Sequence, residues 1–150
     1  MTSLRLLMCD DKAEVGDFVR RVAEELGYEM KFTDEAGDFG RLYRSFAPDL
    51  VILDLAMPNV DGIELLHLLA EEHCRAPILL MSGLDPGMCE TALRLGRAYR
   101  LNMAGIVAKP IRAAELRERL DNLKTAAHLT RSSGTVAAVS GRLHDVRWRR

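Results

Sequence analysis

Apolar and polar residues follow two different periods along the chain, and the switch between them recurs five times. Leu4 to Cys9 (LRLLMC) reads as a short apolar strand that stops at Asp10-Asp11. From Lys12 to Leu26 the apolar residues fall at Val15, Phe18, Val19, Val22 and Leu26, the i, i+3, i+4, i+7 spacing of an amphipathic helix. Gly27 follows, as a glycine often does after a helix. Tyr28 to Thr33 predicts a second, more polar strand, placed at a sheet edge. Asp34–Phe46 predicts a helix with Phe39, Leu42, Tyr43 and Phe46 on one face. Pro48 breaks the chain before a third strand, Leu50-Val51-Ile52-Leu53.

Asp61–His73 predicts a third helix, with Ile63, Leu65, Leu66, Leu68 and Leu69 apolar. Pro77 to Met81 is a fourth strand that ends at Ser82-Gly83, and Pro86–Leu101 a fourth helix. Ala104 to Ala108 is a fifth strand that ends at Lys109-Pro110. Arg112–Ala127 is a last helix with Leu116, Leu120 and Leu123 inward. Five alternations of strand and helix argue an α/β fold, a parallel sheet with helices on both faces and right-handed crossovers. Residues 128–150 lose the pattern, and Ser132-Ser133-Gly134 and Ser140-Gly141 read as flexible breaks. The expected organisation is one domain over residues 1–127 and a basic, flexible tail over 128–150.

Four strands end in chemistry-bearing side chains. Asp10-Asp11 close the first, Asp54 the third, Ser82 the fourth and Lys109 the fifth. A carboxylate at the end of a strand as apolar as LVILD is costly unless something pairs with it. In a doubly wound sheet of order 2-1-3-4-5 the first and third strands are neighbours, and ligands bind off their carboxyl ends. Three carboxylates then converge, each disfavouring the ionised form of the others. A cation relieves this, and an all-oxygen set suits Mg²⁺ or Mn²⁺ better than zinc. With a metal bound, Asp54 becomes a nucleophile suited to phosphorus, since carboxylates form aspartyl phosphates. Lys109 offsets charge on the transferring oxygens, Ser82 donates its hydroxyl to one, and Gly83 leaves the approach open.

Taken together and in order, the acidic pair Asp10-Asp11, Asp54 within LDLAMPNVDG, Ser82 and Lys109-Pro110 resemble the receiver domain of two-component response regulators, over about residues 3–125. The resemblance implies a flavodoxin-like (βα)5 fold and a signalling switch rather than an enzyme. It implies that Asp54 accepts a phosphoryl group from a histidine kinase or a phosphotransfer protein. Asp11, Asp54 and the Ala56 carbonyl then ligate Mg²⁺ directly, with Asp10 acting mostly through water. Ser82 and Lys109 grip the phosphoryl oxygens and signal to the face of the fourth helix, fifth strand and fifth helix, where a homodimer is one expectation.

The chain departs from that family's pattern in places. Ile106 stands where the family usually carries a Tyr or Phe switch three residues before the lysine, and a β-branched residue there suits a strand. The segment between Ser82 and Lys109 is longer than in most receivers, with the extra length around Leu93 to Asn102, and resembles receivers joined to cyclic-di-GMP phosphodiesterase domains. The plainer alternative is a longer fourth helix with a solvated arginine face. Ala56 and Leu84 are apolar where they flank the path of a hydrolytic water, so slow loss of the phosphoryl group is expected. Pro58, Asp61 and Gly62 have structural reasons: a strand stop, a helix cap, and the glycine beside it.

Composition narrows the classes. At 150 residues, 48% hydrophobic and 29% charged, the chain suits one soluble domain with a real core. A net charge of −1 favours neither nucleic acid nor membrane, though residues 126–150 carry +4 and residues 1–125 carry −5. Trp148 and its arginines suit an acidic partner, or a disordered tail. Cys9, Cys74 and Cys89 lack metal-like spacing and read as reduced thiols of a cytoplasmic protein. No apolar run reaches membrane-span length, no secretory signal core precedes the two acids, and no recognition helix for DNA follows residue 127. His67, His73, His128 and His144 form no defensible metal or phosphotransfer pattern. Two other readings of the fold fit less well. A flavodoxin needs a phosphate loop after the first strand, and an aspartate-nucleophile phosphatase needs an acid at position 56. A degenerate receiver serving as a phosphorylation-independent scaffold is a further alternative, as is the receiver fragment of a cyclic-di-GMP phosphodiesterase regulator.

Overall fold

The computed structural model describes residues 3–57, 62–83 and 86–132, and no side chains from 129 onward. Pro58, Asp61, Leu84 and Trp148, to which the sequence assigns roles, lie outside the described residues.

Five strands and five helices alternate: β1 (Leu4–Cys9), α1 (Ala13–Glu25), β2 (Tyr28–Thr33), α2 (Ala36–Phe46), β3 (Leu50–Asp54), α3 (Gly62–Glu71), β4 (Ile78–Ser82), α4 (Pro86–Ala98), β5 (Met103–Ala108) and α5 (Ala113–Ser132). The sheet is parallel, in the expected order β2-β1-β3-β4-β5. Every residue of β3 and β4 is buried, as a strand covered on both faces requires, which is why LVILD and ILLMS read as unbroken apolar runs. β2 alternates buried and exposed positions in its first four residues and forms one edge.

Side-chain alternation divides the core in two. Leu6, Met8, Ile52, Leu79, Met81 and Val107 pack with Val19 and Val22 of α1 and with Leu116 and Leu120 of α5. Leu7, Cys9, Val51, Leu53, Ile78 and Leu80 pack with Phe39 of α2, Leu66 of α3 and Ala92 of α4. A strand slipped by one residue exchanges these two sets, so the pattern fixes the register of the strand ends.

Helix ends depart from the expected bounds. α4 stops at Ala98, three residues early, because Arg100 turns left-handed (φ 66°) and the Arg100 and Leu101 amides bond back to Arg97 and Gly96. It spans 13 residues, as α1 does, and Arg94, Arg97 and Arg100 are exposed, as a solvated arginine face requires. α5 runs to Ser132, five residues past its expected end at Ala127, since no glycine or proline interrupts the chain before Gly134. β5 carries an irregularity: Ile78 pairs with Met103 but Leu79 with Gly105, leaving Ala104 as an extra residue.

Candidate functional site

Asp10 follows the last residue of β1, and its amide donates to the Thr33 carbonyl at 3.2 Å. Its fully buried carboxylate has both oxygens engaged. Oδ1 accepts the Lys12 amide at 2.9 Å and Oδ2 accepts Lys109 Nζ at 3.1 Å. Asp54, the last residue of β3, is 1% exposed. Its Oδ1 accepts the Ala56 amide at 3.0 Å. Its Oδ2 lies 3.2 Å from Lys109 Nζ, an ion pair without an aligned hydrogen bond. Asp11 is half-buried, and its Oδ1 is enclosed with no hydrogen-bond partner.

Sequence order thus becomes spatial convergence. One carboxylate oxygen from each of Asp10, Asp11 and Asp54 lies within 4.8 Å of the others. Among the described residues, the two buried side-chain polar atoms without a hydrogen bond are Asp11 Oδ1 and Asp54 Oδ2. A buried carboxylate oxygen left open, as Asp11 Oδ1 is, is costly unless a cation takes it up, whereas Asp54 Oδ2 already faces the Lys109 ammonium. The donor set, all oxygen and all anionic, fits a hard divalent ion.

The local electrostatics carry the same imbalance. Burial and then the Asp54 charge hold the Asp10 carboxyl above the usual range, against the Lys12 amide and Lys109. Burial alone would depress Lys109, but the Asp10 hydrogen bond and the charges of Asp10 and Asp54 outweigh it and hold the ammonium protonated above the ordinary lysine value. One lysine serves two buried carboxylates, and among the described residues the third, Asp11, pairs with none.

The remaining expected residues fall around this cluster. Ser82 is 2% exposed at the end of β4, and its carbonyl accepts the Lys109 amide at 3.0 Å, which ties together the ends of β4 and β5. Gly83 is exposed; among the described residues a Cβ there would meet only Lys109 Cβ, at 3.9 Å, which leaves the approach open. Ala56 is exposed beside Asp54. Ile106 is half-buried and packs in the α2–α4 core layer, and its carbonyl accepts Arg119 Nη2 at 3.2 Å. Sequence reasoning passed over the Lys12 amide and Arg119. The first is a backbone group, and the second pairs through tertiary contact. A cleft of about 430 Å³ near the amino ends of β3 and β4, lined by Tyr43, Arg44, Glu72, His73 and Arg75, holds none of these residues.

The structure thus sets an acidic pocket and a lysine at the carboxyl edge of a doubly wound parallel sheet. Residues 6–121 match the response regulator receiver domain, and the chain belongs to that family. It is 29% identical over 115 residues to the luminescence regulatory protein LuxO of Vibrio campbellii, a match covering 77% of this chain and 24% of that protein. A response regulator from Colwellia psychrerythraea is 28% identical, with a TM-score of 0.68 over 83% of this chain and 99% of that one. The signal receiver domain of a LuxO repressor protein from Vibrio parahaemolyticus shares the fold at 17% identity, with a TM-score of 0.74 over 85% and 95% of the two chains. The chain spans about a quarter to a half of the length of the curated relatives it matches. No described helix is long and apolar enough to cross a membrane.

Proposed function

We propose that this domain is a phosphorylatable switch in which Asp54 accepts a phosphoryl group from a histidine kinase or phosphotransfer protein. The observation that carries the reading is the meeting of three carboxylate oxygens within 4.8 Å with one lysine 3.1 and 3.2 Å from two of them. Asp54 Oδ1 is held by the Ala56 amide, which leaves Oδ2 as the attacking atom. A bond forms from Oδ2 to phosphorus as the bond from phosphorus to the donor's imidazole nitrogen breaks, and the imidazole leaves with the electron pair. Asp11, Asp54 and the Ala56 carbonyl would hold Mg²⁺, with Mn²⁺ as a substitute, and Asp10 would act on the ion mostly through water. The ion supplies positive charge that offsets the phosphoryl oxygens. Lys109 then exchanges Asp54 for a phosphoryl oxygen, and Ser82 donates its hydroxyl to another.

The domain acts as a cytoplasmic signalling module rather than as an enzyme. Its output is protein contact through the α4–β5–α5 face, either to a second copy or to a further domain of a longer regulator. Phosphorylation acts by biasing two pre-existing states of that face. Incubation with Mg²⁺ and a small acyl phosphate, read by intact mass, tests the reading. One phosphoryl adduct is expected, dependent on metal and lost in Asp54→Asn. A folded protein that takes neither ion nor adduct is a scaffold instead.

A further inference from the structure

The turn that carries Asp54 is pinned at both ends. The Leu55 amide donates to the Met81 carbonyl of β4 at 3.0 Å. Met57 is buried, with its Sδ 3.7 Å from Cys9 Sγ beneath the site. Between these anchors the Ala56 amide orients Asp54 Oδ1. Gly62, the first residue of α3, is buried against this turn. A Cβ there would meet Leu55 Cδ2 at 2.8 Å, Leu55 Cα at 3.3 Å and the Asp54 carbonyl oxygen at 3.7 Å.

Backbone conformation does not call for this glycine, since the positive-φ glycines among the described residues are Gly27 and Gly105. Close approach is what remains. Rotation of the Leu55 side chain relieves the contact with Cδ2. Only movement of the turn relieves the contact with Cα, and a turn fixed at Leu55 and Met57 has little room to move.

We infer that Gly62 is a positioning residue for the phosphoryl-accepting turn: its missing Cβ sets where Asp54 and Ala56 stand relative to Asp11. The catalytic meaning of this placement rests on the proposed function, but the placement is measurable without phosphoryl transfer. The full chain is compared as wild type, Gly62→Ala, Leu55→Ala and the double variant, each confirmed folded by circular dichroism. The readouts are Mg²⁺ affinity by calorimetry, the Ala56 amide resonance of the metal-free protein, and the rate of adduct formation with a small acyl phosphate.

Gly62→Ala is expected to lose about tenfold in Mg²⁺ affinity, the scale typical of changes just behind a ligand. It should also shift the Ala56 resonance and slow adduct formation. The double variant should recover part of each loss, because only the backbone contact then remains. Wild-type Mg²⁺ affinity with an unmoved Ala56 resonance in folded Gly62→Ala overturns the inference, as does a double variant no better than the single. Should Gly62→Ala not fold, the double variant is read against Leu55→Ala alone, and equal affinity overturns it. A wild type that binds Mg²⁺ without forming an adduct removes the proposed function and leaves the placement of the turn to the other two readouts.

Discussion

Asp11 and Asp10 are neighbours in the chain with opposite circumstances. Asp10 has both oxygens engaged, while Asp11 leaves one enclosed oxygen open. An ion therefore gains most from Asp11 and Asp54. Mg²⁺ at a hundred times its dissociation constant should stabilise the wild type by about 2.7 kcal/mol. Asp11→Asn should lose most of that shift in a urea titration while staying folded without metal. Ala56 is exposed next to Asp54 and offers no polar side chain to an incoming water. Ala56→Asn should shorten the phosphoryl half-life several-fold, read by decay of the adduct mass, and an unchanged half-life removes the shielding role. Ile106 was legible as a strand residue, and its packing bears that out. Its carbonyl contact with Arg119 was not, because no pattern in either segment pairs them.

Helix termini are where the elements carry strain. α2, α3 and α4 are each followed by a non-glycine residue in the left-handed region: Ala47 (φ 50°), His73 (φ 56°) and Arg100 (φ 66°). The backbone bonds that close α3 and α4 impose this geometry, with Cys74 reaching Leu69 and Leu101 reaching Gly96. A side chain in that region costs about 1 kcal/mol or more. His73→Gly and Arg100→Gly should therefore each raise stability by up to about 1 kcal/mol in chemical denaturation, less the entropy glycine adds to the unfolded chain. The strands were easier to read than these ends, since β3 and β4 are buried at every position and β1 at every position but Arg5, which calls for long apolar runs. Helix ends depend on a few backbone bonds that periodicity does not report, which is why α4 stops before its apolar pattern does and α5 continues past its own.

Across the whole molecule, two apolar layers grip a sheet that also encloses a thiol, Cys9, and a phenol, Tyr28. Burial, followed by the charges of Asp10, Asp54, Asp34 and Asp11, pushes the Cys9 thiol up to about 12. Tyr28 and Tyr43 are likewise held above the usual phenol range, chiefly by burial. A group raised on folding contributes stability that is complete below its unfolded value and fades as pH climbs toward the folded one. For Cys9 that window opens at about 8.5 and closes at about 12. Urea midpoints should thus fall steadily above pH 9, at up to about 1.4 kcal/mol per pH unit from this thiol. Cys9→Ala should flatten the slope, and an unaltered slope would show that the thiol ionises as freely folded as unfolded.

By itself the sequence determined the alternation of strand and helix, the two-sided core and the places where charge interrupts apolar strands. These follow from periodicity and from the cost of burying a carboxylate, both local properties. Sequence patterns also singled out Asp10, Asp11, Asp54, Ser82 and Lys109, because each sits where a strand ends. Tertiary structure decided how they divide the work. Lys109 is shared between Asp10 and Asp54, Asp11 leaves one oxygen without a hydrogen bond among the described residues, and Gly62 lies close against the turn between Asp54 and Met57. Distances of a few ångströms between residues up to 99 positions apart are set by how sheet and helices pack, and no single stretch of chain encodes them.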